Sequence, residues 1–76
     1  MTEHLDLTGL RCPLPVIRLE AAMRRAAPGA VLTVEADDPL ARVDIPHAAR
    51  SADFTCEDIT PEGKTSFVFR IMAPAQ

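Results

Sequence analysis

Proline placement constrains this chain more than any other feature. The 76 residues include seven prolines. Proline fits the first turn of a helix, a turn or a sheet edge, and is excluded from helix interiors and central strands. Pro13 and Pro15 therefore mark a helix start, and Pro28-Gly29 marks that helix's end. Asp37-Asp38-Pro39 and Asp44-Ile45-Pro46 offer two further helix starts, each with an acidic cap and a proline in the first turn. Pro61-Glu62-Gly63-Lys64 reads as a tight turn.

The segments between these marks have clear characters. Residues 4–8 (HLDLT) alternate apolar and polar and predict a short strand. Residues 13–27 are rich in helix formers, with Arg24 and Arg25 at the negative end of the dipole. Residues 31–36 (VLTVEA) predict a central, buried strand. A short helical turn is expected at 39–43 and a helix proper at 44–52, because Pro46 suits a first turn. Strands are expected at 55–60 and 65–72, joined as a hairpin, with a frayed tail at 73–76. The order β-α-β-α-β-β implies a right-handed parallel crossover followed by an antiparallel pair. The expected fold is a single α+β domain over 1–76. It is a two-layer sandwich, with a four-stranded mixed sheet and two helices packed on one face.

A net charge of −3 argues against a protein that grips nucleic acid through phosphates. No stretch reaches membrane-spanning length, and MTEHLDL lacks the apolar run of a signal peptide. A cytoplasmic monomer is expected. Two cysteines, Cys12 and Cys56, suit free thiols better than a disulfide scaffold.

With a helix starting at Pro13, Cys12 becomes its cap. Helix N-termini favour the thiolate form of cysteine, and Arg11 adds a positive charge if it points that way. Pro13 and Pro15 then fall at the first and third helical positions, where an amide has no intrahelical partner. Only the Leu14 N–H survives among the first-turn donors, so this is no phosphate cradle. It is a stiff post presenting one sulfur. From the residues alone, Cys12 reads equally well as a reactive thiol or as a small inert cap.

On a helical wheel Val16, Leu19, Met23, Ala26 and Ala27 share the core face, with Arg18 and Arg25 opposite. Leu14, Ile17 and Ala21 lie beside those arginines. Apolar residues mixed with arginine suit a docking surface, although a casually exposed helix face has the same look.

Four pieces of the sequence together resemble the TusA/SirA sulfur-carrier family: LDLTGLRCPLPV (5–16), PG (28–29), ADDP (36–39) and DIP (44–46). The resemblance spans nearly the whole chain and implies a βαβαββ two-layer sandwich. It implies that Cys12 carries sulfane sulfur as a persulfide, supported by Arg11, Pro13, Leu14 and Pro15. The donor would be a pyridoxal-phosphate cysteine desulfurase or a rhodanese-like protein, and the acceptor a partner protein's cysteine. The routes it implies are tRNA thiolation, molybdenum-cofactor sulfur supply and sulfur oxidation. The variable position of the motif is Leu14 here, where many members have Glu. No resident cofactor is expected, and the protein would act by thiol exchange with partners rather than as a free-standing enzyme.

The parallel pair should bring the loops after the first and second strands to one sheet edge, where sites of α/β proteins gather. Asp37 and Asp38 would then lie near Cys12. Either they meet a basic partner or Asp38 caps its helix while Asp37 is solvated, and the second is the simpler expectation. Docking contacts are thus assigned to Leu14, Ile17, Arg18, Ala21, Arg25, Asp37 and Asp38. Cys56, in a strand, is expected to be a structural thiol. His4 and His47 with the two cysteines do not have the spacing of a compact metal site, so none is expected. Two other classes remain: a regulatory or RNA-binding α/β domain, and a single-cysteine redox protein.

Overall fold

The structure, a computed structural model, describes residues 2–75. Its elements are β1 (Thr2–Asp6), α1 (Leu14–Arg25), β2 (Val31–Ala36), α2 (Ala41–Ser51), β3 (Thr55–Asp58) and β4 (Phe67–Met72). The sheet order is β1-β2-β4-β3. β1 runs parallel to β2, with Thr2 opposite Val31 and Asp6 opposite Glu35. β4 is antiparallel to both β2 and β3. The expected four-stranded mixed sheet and element order are therefore present, with β2 inside the sheet.

One face of the sheet is buried beneath the helices. Leu32, Val34 and Ala36 of β2 alternate with half-buried Val31, Thr33 and Glu35, as the period-two pleat requires. They meet Leu19, Ala22 and Met23 of α1, Ala41, Ile45, Ala48 and Ala49 of α2, and Phe69 and Ile71 of β4. In α2 the buried positions recur every three or four residues, the stripe a core-facing helix needs.

Several boundaries differ from expectation. β1 lies two residues upstream of 4–8. The Asp6 carboxylate accepts both the Thr8 amide at 3.1 Å and the Thr8 hydroxyl at 2.6 Å, which turns the chain out of the strand. A matching pair of bonds from Thr60 to Asp58 ends β3 at Asp58. β4 begins at Phe67, after a turn closed by Lys64 N–H on the Pro61 carbonyl at 3.2 Å, with Gly63 at φ 84°. In the tail, Ala73 N–H donates to Ala30 O at 2.8 Å and Gly29 N–H to Pro74 O at 3.0 Å. Gln76 lies outside the described residues.

The second helix is one helix, not a turn followed by a helix. The Leu40 carbonyl accepts the amides of Val43 at 3.1 Å and Asp44 at 2.9 Å, so the coil is already wound before Asp44. Pro46 therefore sits inside it. A proline there costs about 3 kcal/mol. The unbroken apolar stripe from Ala41 to Ala49, centred on fully buried Ile45, offsets that cost.

The core face of α1 is also rotated. Pro15, Leu19, Ala22 and Met23 are buried, whereas Val16 and Ala26 are half-buried and Ala27 is exposed. The helix ends at Arg25, so Ala27 has left it.

Candidate functional site

Cys12 stands one residue before the cap of α1 rather than at it. The Leu14 amide donates to the Arg11 carbonyl at 2.8 Å, closing a turn over residues 11–14. The first helical bond runs from the Ile17 amide to the Pro13 carbonyl at 3.1 Å, making Pro13 the cap and Pro15 the second helical residue. The Cys12–Pro13 peptide is cis. The one first-turn amide expected to be free, that of Leu14, is therefore consumed.

What fixes Cys12 comes from the neighbouring loop. The parallel β1/β2 pair does bring the loops after both strands together. Asp38 is buried, 5% exposed, and its carboxylate is shared. One oxygen accepts the Cys12 amide at 2.6 Å, and the other accepts the Leu40 amide at 3.2 Å. Asp38 is therefore not the cap of α2, which is Leu40; it holds the turn leading into that helix and also clamps the cysteine backbone. Asp37 is more than solvated. Its Oδ1 accepts the Gly9 amide at 3.0 Å and the Arg11 guanidinium at 3.2 Å. Arg11 thereby turns to Asp37 and its own neighbour's carbonyl, Leu10 O.

The sulfur itself is exposed and free. Its nearest polar side-chain contact is the Asp44 carboxylate of α2, 3.9 Å away. Cys12 opens onto a cavity of about 350 Å³ between the helices, lined also by Val16, Glu20, Asp44, His47 and Ser51. These neighbours were missed from sequence. Asp44 belongs to the DIP segment, where an acidic residue two places before a proline marks only a helix start.

The remaining assigned residues divide by position. Leu14 and Ile17 are 47% and 50% exposed on the outer face of α1, within two turns of Cys12. Arg18 is exposed and Ala21 half-buried. Arg25 lies at the other end of α1, about 16 Å from Leu14 at helical rise, where it faces Glu3 at 3.6 Å. Cys56 is half-buried against the core from β3. Burial pushes its thiol up, with a further rise from Asp58 that Arg50 opposes. Among the described residues, no three His, Cys, Asp or Glu side chains come together as a metal site.

The loop clamp has a pH signature. The Gly9 amide, helped by the Arg11 guanidinium, holds the Asp37 carboxyl below its ordinary value against a weaker effect of burial. Thr8 does the same for Asp6, and Thr60 for Asp58. Carboxyls lowered on folding add stability above their unfolded values and lose it as pH falls through the lower folded ones. The melting temperature should therefore be steady from pH 7 to about 5 and fall below that. Asp37→Asn should lose less between pH 7 and pH 3 than the unmodified protein. Equal losses would show that Asp37 contributes nothing to the acid sensitivity.

Comparison with known proteins agrees with this architecture. Proteins named sulfur carrier protein TusA from Pseudomonas paraeruginosa and Pseudomonas aeruginosa are 55% identical over 42 residues. The match covers 55% of this chain and 53% of theirs, about half the length of those curated relatives. A solved SirA-like protein from Desulfitobacterium hafniense superposes with a TM-score of 0.82 at 26% identity, covering 95% of this chain and 97% of that one. No helix among the described residues is long and apolar enough to cross a membrane. The family profile described as sulfurtransferase TusA matches residues 3–72, and the chain belongs to that family.

Proposed function

We propose that the protein is a sulfur carrier that holds sulfane sulfur as a persulfide on Cys12 and relays it to a partner protein's cysteine. One observation carries this: an exposed thiol whose own backbone is clamped by buried Asp38. Such a sulfur can be reached by large partners without losing its position.

The transfer balances as two exchanges. The Cys12 thiolate forms a bond to the terminal sulfur of a donor persulfide. The donor's S–S bond breaks, and its electron pair returns to the donor cysteine, which takes up the proton Cys12 released. An acceptor thiolate then attacks the outer sulfur, and Cys12 leaves as thiolate. Nothing is oxidised or reduced overall. The resolving thiol comes from the partner, which suits a lone exposed cysteine. Cysteine desulfurases and rhodanese-like proteins supply sulfur in this form. The acceptor would belong to tRNA thiolation, molybdenum-cofactor sulfur supply or sulfur oxidation.

The direct test is incubation with a pyridoxal-phosphate cysteine desulfurase and cysteine, followed by intact mass without reductant. The protein should gain one sulfur. A protein that stays unmodified with every desulfurase and rhodanese-like donor tried would overturn the proposal.

Docking is assigned to the exposed apolar edge of α1 beside the cysteine. Replacing Leu14 and Ile17 together by Lys places two charges, of a sign opposite to the Glu many family members carry at the first position, where a partner would cover apolar surface. Loading by the donor should slow by about tenfold or more. The melting temperature should hold within a few degrees, since both side chains are half exposed. Unchanged loading would move the docking surface elsewhere.

A further inference from the structure

We propose that Asp44 is a positioning residue that sets the reactivity of Cys12 by charge, opposing negative charge on the bare sulfur and opposing it less once the sulfur is loaded. The second half of the proposal rests on the carrier reading above, and the first half does not.

The geometry is specific. Asp44 Oδ2 lies 3.9 Å from Cys12 Sγ across the mouth of the interhelical cavity. Asp44 of α2 meets the sulfur, and the cavity beside it is lined further by His47 of α2 and Glu20 of α1. From the loop after β2 comes Asp38, whose two oxygens are taken by the Cys12 and Leu40 amides, and beyond it Asp37, occupied by Gly9 and Arg11. Arg11, the cation beside Cys12 in sequence, is committed to Asp37. No lysine or arginine lines the cavity, and among the described residues neither Asp44 nor Glu20 forms an ion pair. The uncompensated charged side chains at the cavity are therefore acidic, set against the positive end of α1.

A neutral thiol can donate its hydrogen toward Oδ2, but a thiolate meets a like charge at that distance. With water-like screening, as befits an exposed group, a like charge at this distance slows reaction at the bare sulfur about fivefold. Loading adds a second sulfur about 2 Å beyond the first. The charge then sits on the outer sulfur, which can turn away from Oδ2 because the side chain is exposed, and the repulsion falls. Asp44 thus keeps the empty carrier quiet toward stray electrophiles and leaves the loaded one free to present an anion. It separates the two states without a second cysteine.

The test is the rate of iodoacetamide alkylation at Cys12, read by peptide mass at neutral pH. In the empty protein at low ionic strength, Asp44→Asn should react about fivefold faster, and Asp44→Glu should restore the slow rate. The unmodified protein should react faster as salt is added, and the Asn variant should not, since only a charge effect is screened. After loading with a desulfurase and cysteine, the Asn variant and the unmodified protein should differ by less than about twofold. Equal rates for the two empty proteins would overturn the proposal. So would a rate in the unmodified protein that is indifferent to salt, a measurement that decides the matter even if the variant does not fold. An equal difference in the empty and loaded states would overturn its second half. A protein that never loads would overturn the carrier reading and leave the comparison of the empty proteins standing.

Discussion

Cys12→Ser should gain no sulfur from a desulfurase and cysteine, while Cys56→Ser should gain as much as the unmodified protein. The two thiols differ in every property the exchange requires. Cys12 is exposed on a loop, next to the apolar edge formed by Leu14 and Ile17. Cys56 sits in β3 opposite Ile71, a fully buried residue, and packs against the core. Burial pushes its thiol up, so less of it is the nucleophilic thiolate at neutral pH. A large donor meets it only in part, because its side chain is half-buried against the core. The expected effect is therefore all-or-none at Cys12 and absent at Cys56. Sulfur found on Cys56, or retained by Cys12→Ser, would remove Cys12 from the centre of the function.

Local chemistry explains how far the fold could be read from sequence. β2 is legible to the residue, because a β-branched run lies between Gly29 and Asp37 and no competing signal overlaps it. The loop meeting was legible for a topological reason, since parallel neighbours send their following loops to one edge. That argument located Asp37 and Asp38 near Cys12. It could not assign their bonds, which depend on side-chain direction.

Pro46 shows the opposite case. Its proline signal argued for a helix start, but packing of Ala41, Ile45, Ala48 and Ala49 decided that the helix runs through it. The phase of α1 failed for a similar reason. A helical wheel assumes one covering surface, whereas α1 is covered by both the sheet and α2, which buries Ala22 and Pro15 as well. The same packing sets the rotation of α2 against α1. Asp44 and His47 come to the cavity beside Cys12 through that rotation, which no spacing within the sequence announces.

The clamp beneath Cys12 carries the second large effect. Asp38→Ala should lower the melting temperature by about 10–20 °C, and Asp38→Asn by less. Asp38 is almost wholly buried, and among the described residues its carboxylate is the only side chain holding the Cys12 and Leu40 amides. Alanine strands both donors, at about 1–3 kcal/mol each where water cannot replace the lost partner. Cys12 lies near solvent, so its amide recovers part of that cost, leaving a total of about 2–3 kcal/mol. In a domain of this size each kcal/mol moves the melting temperature by about 4–8 °C. Asparagine keeps the shape and one acceptor oxygen, but its NH₂ group would face the other amide, so one of the two bonds survives. The same ranking should appear at the sulfur. With its amide released, Cys12 no longer has a fixed direction, and donor-dependent loading should slow in the order Asn, then Ala, even at temperatures where both variants are fully folded. If stability fell in that order while loading stayed constant, Asp38 would hold the two loops together without positioning the cysteine, and the sulfur's direction would have to be set by Pro13 and the turn over residues 11–14 instead.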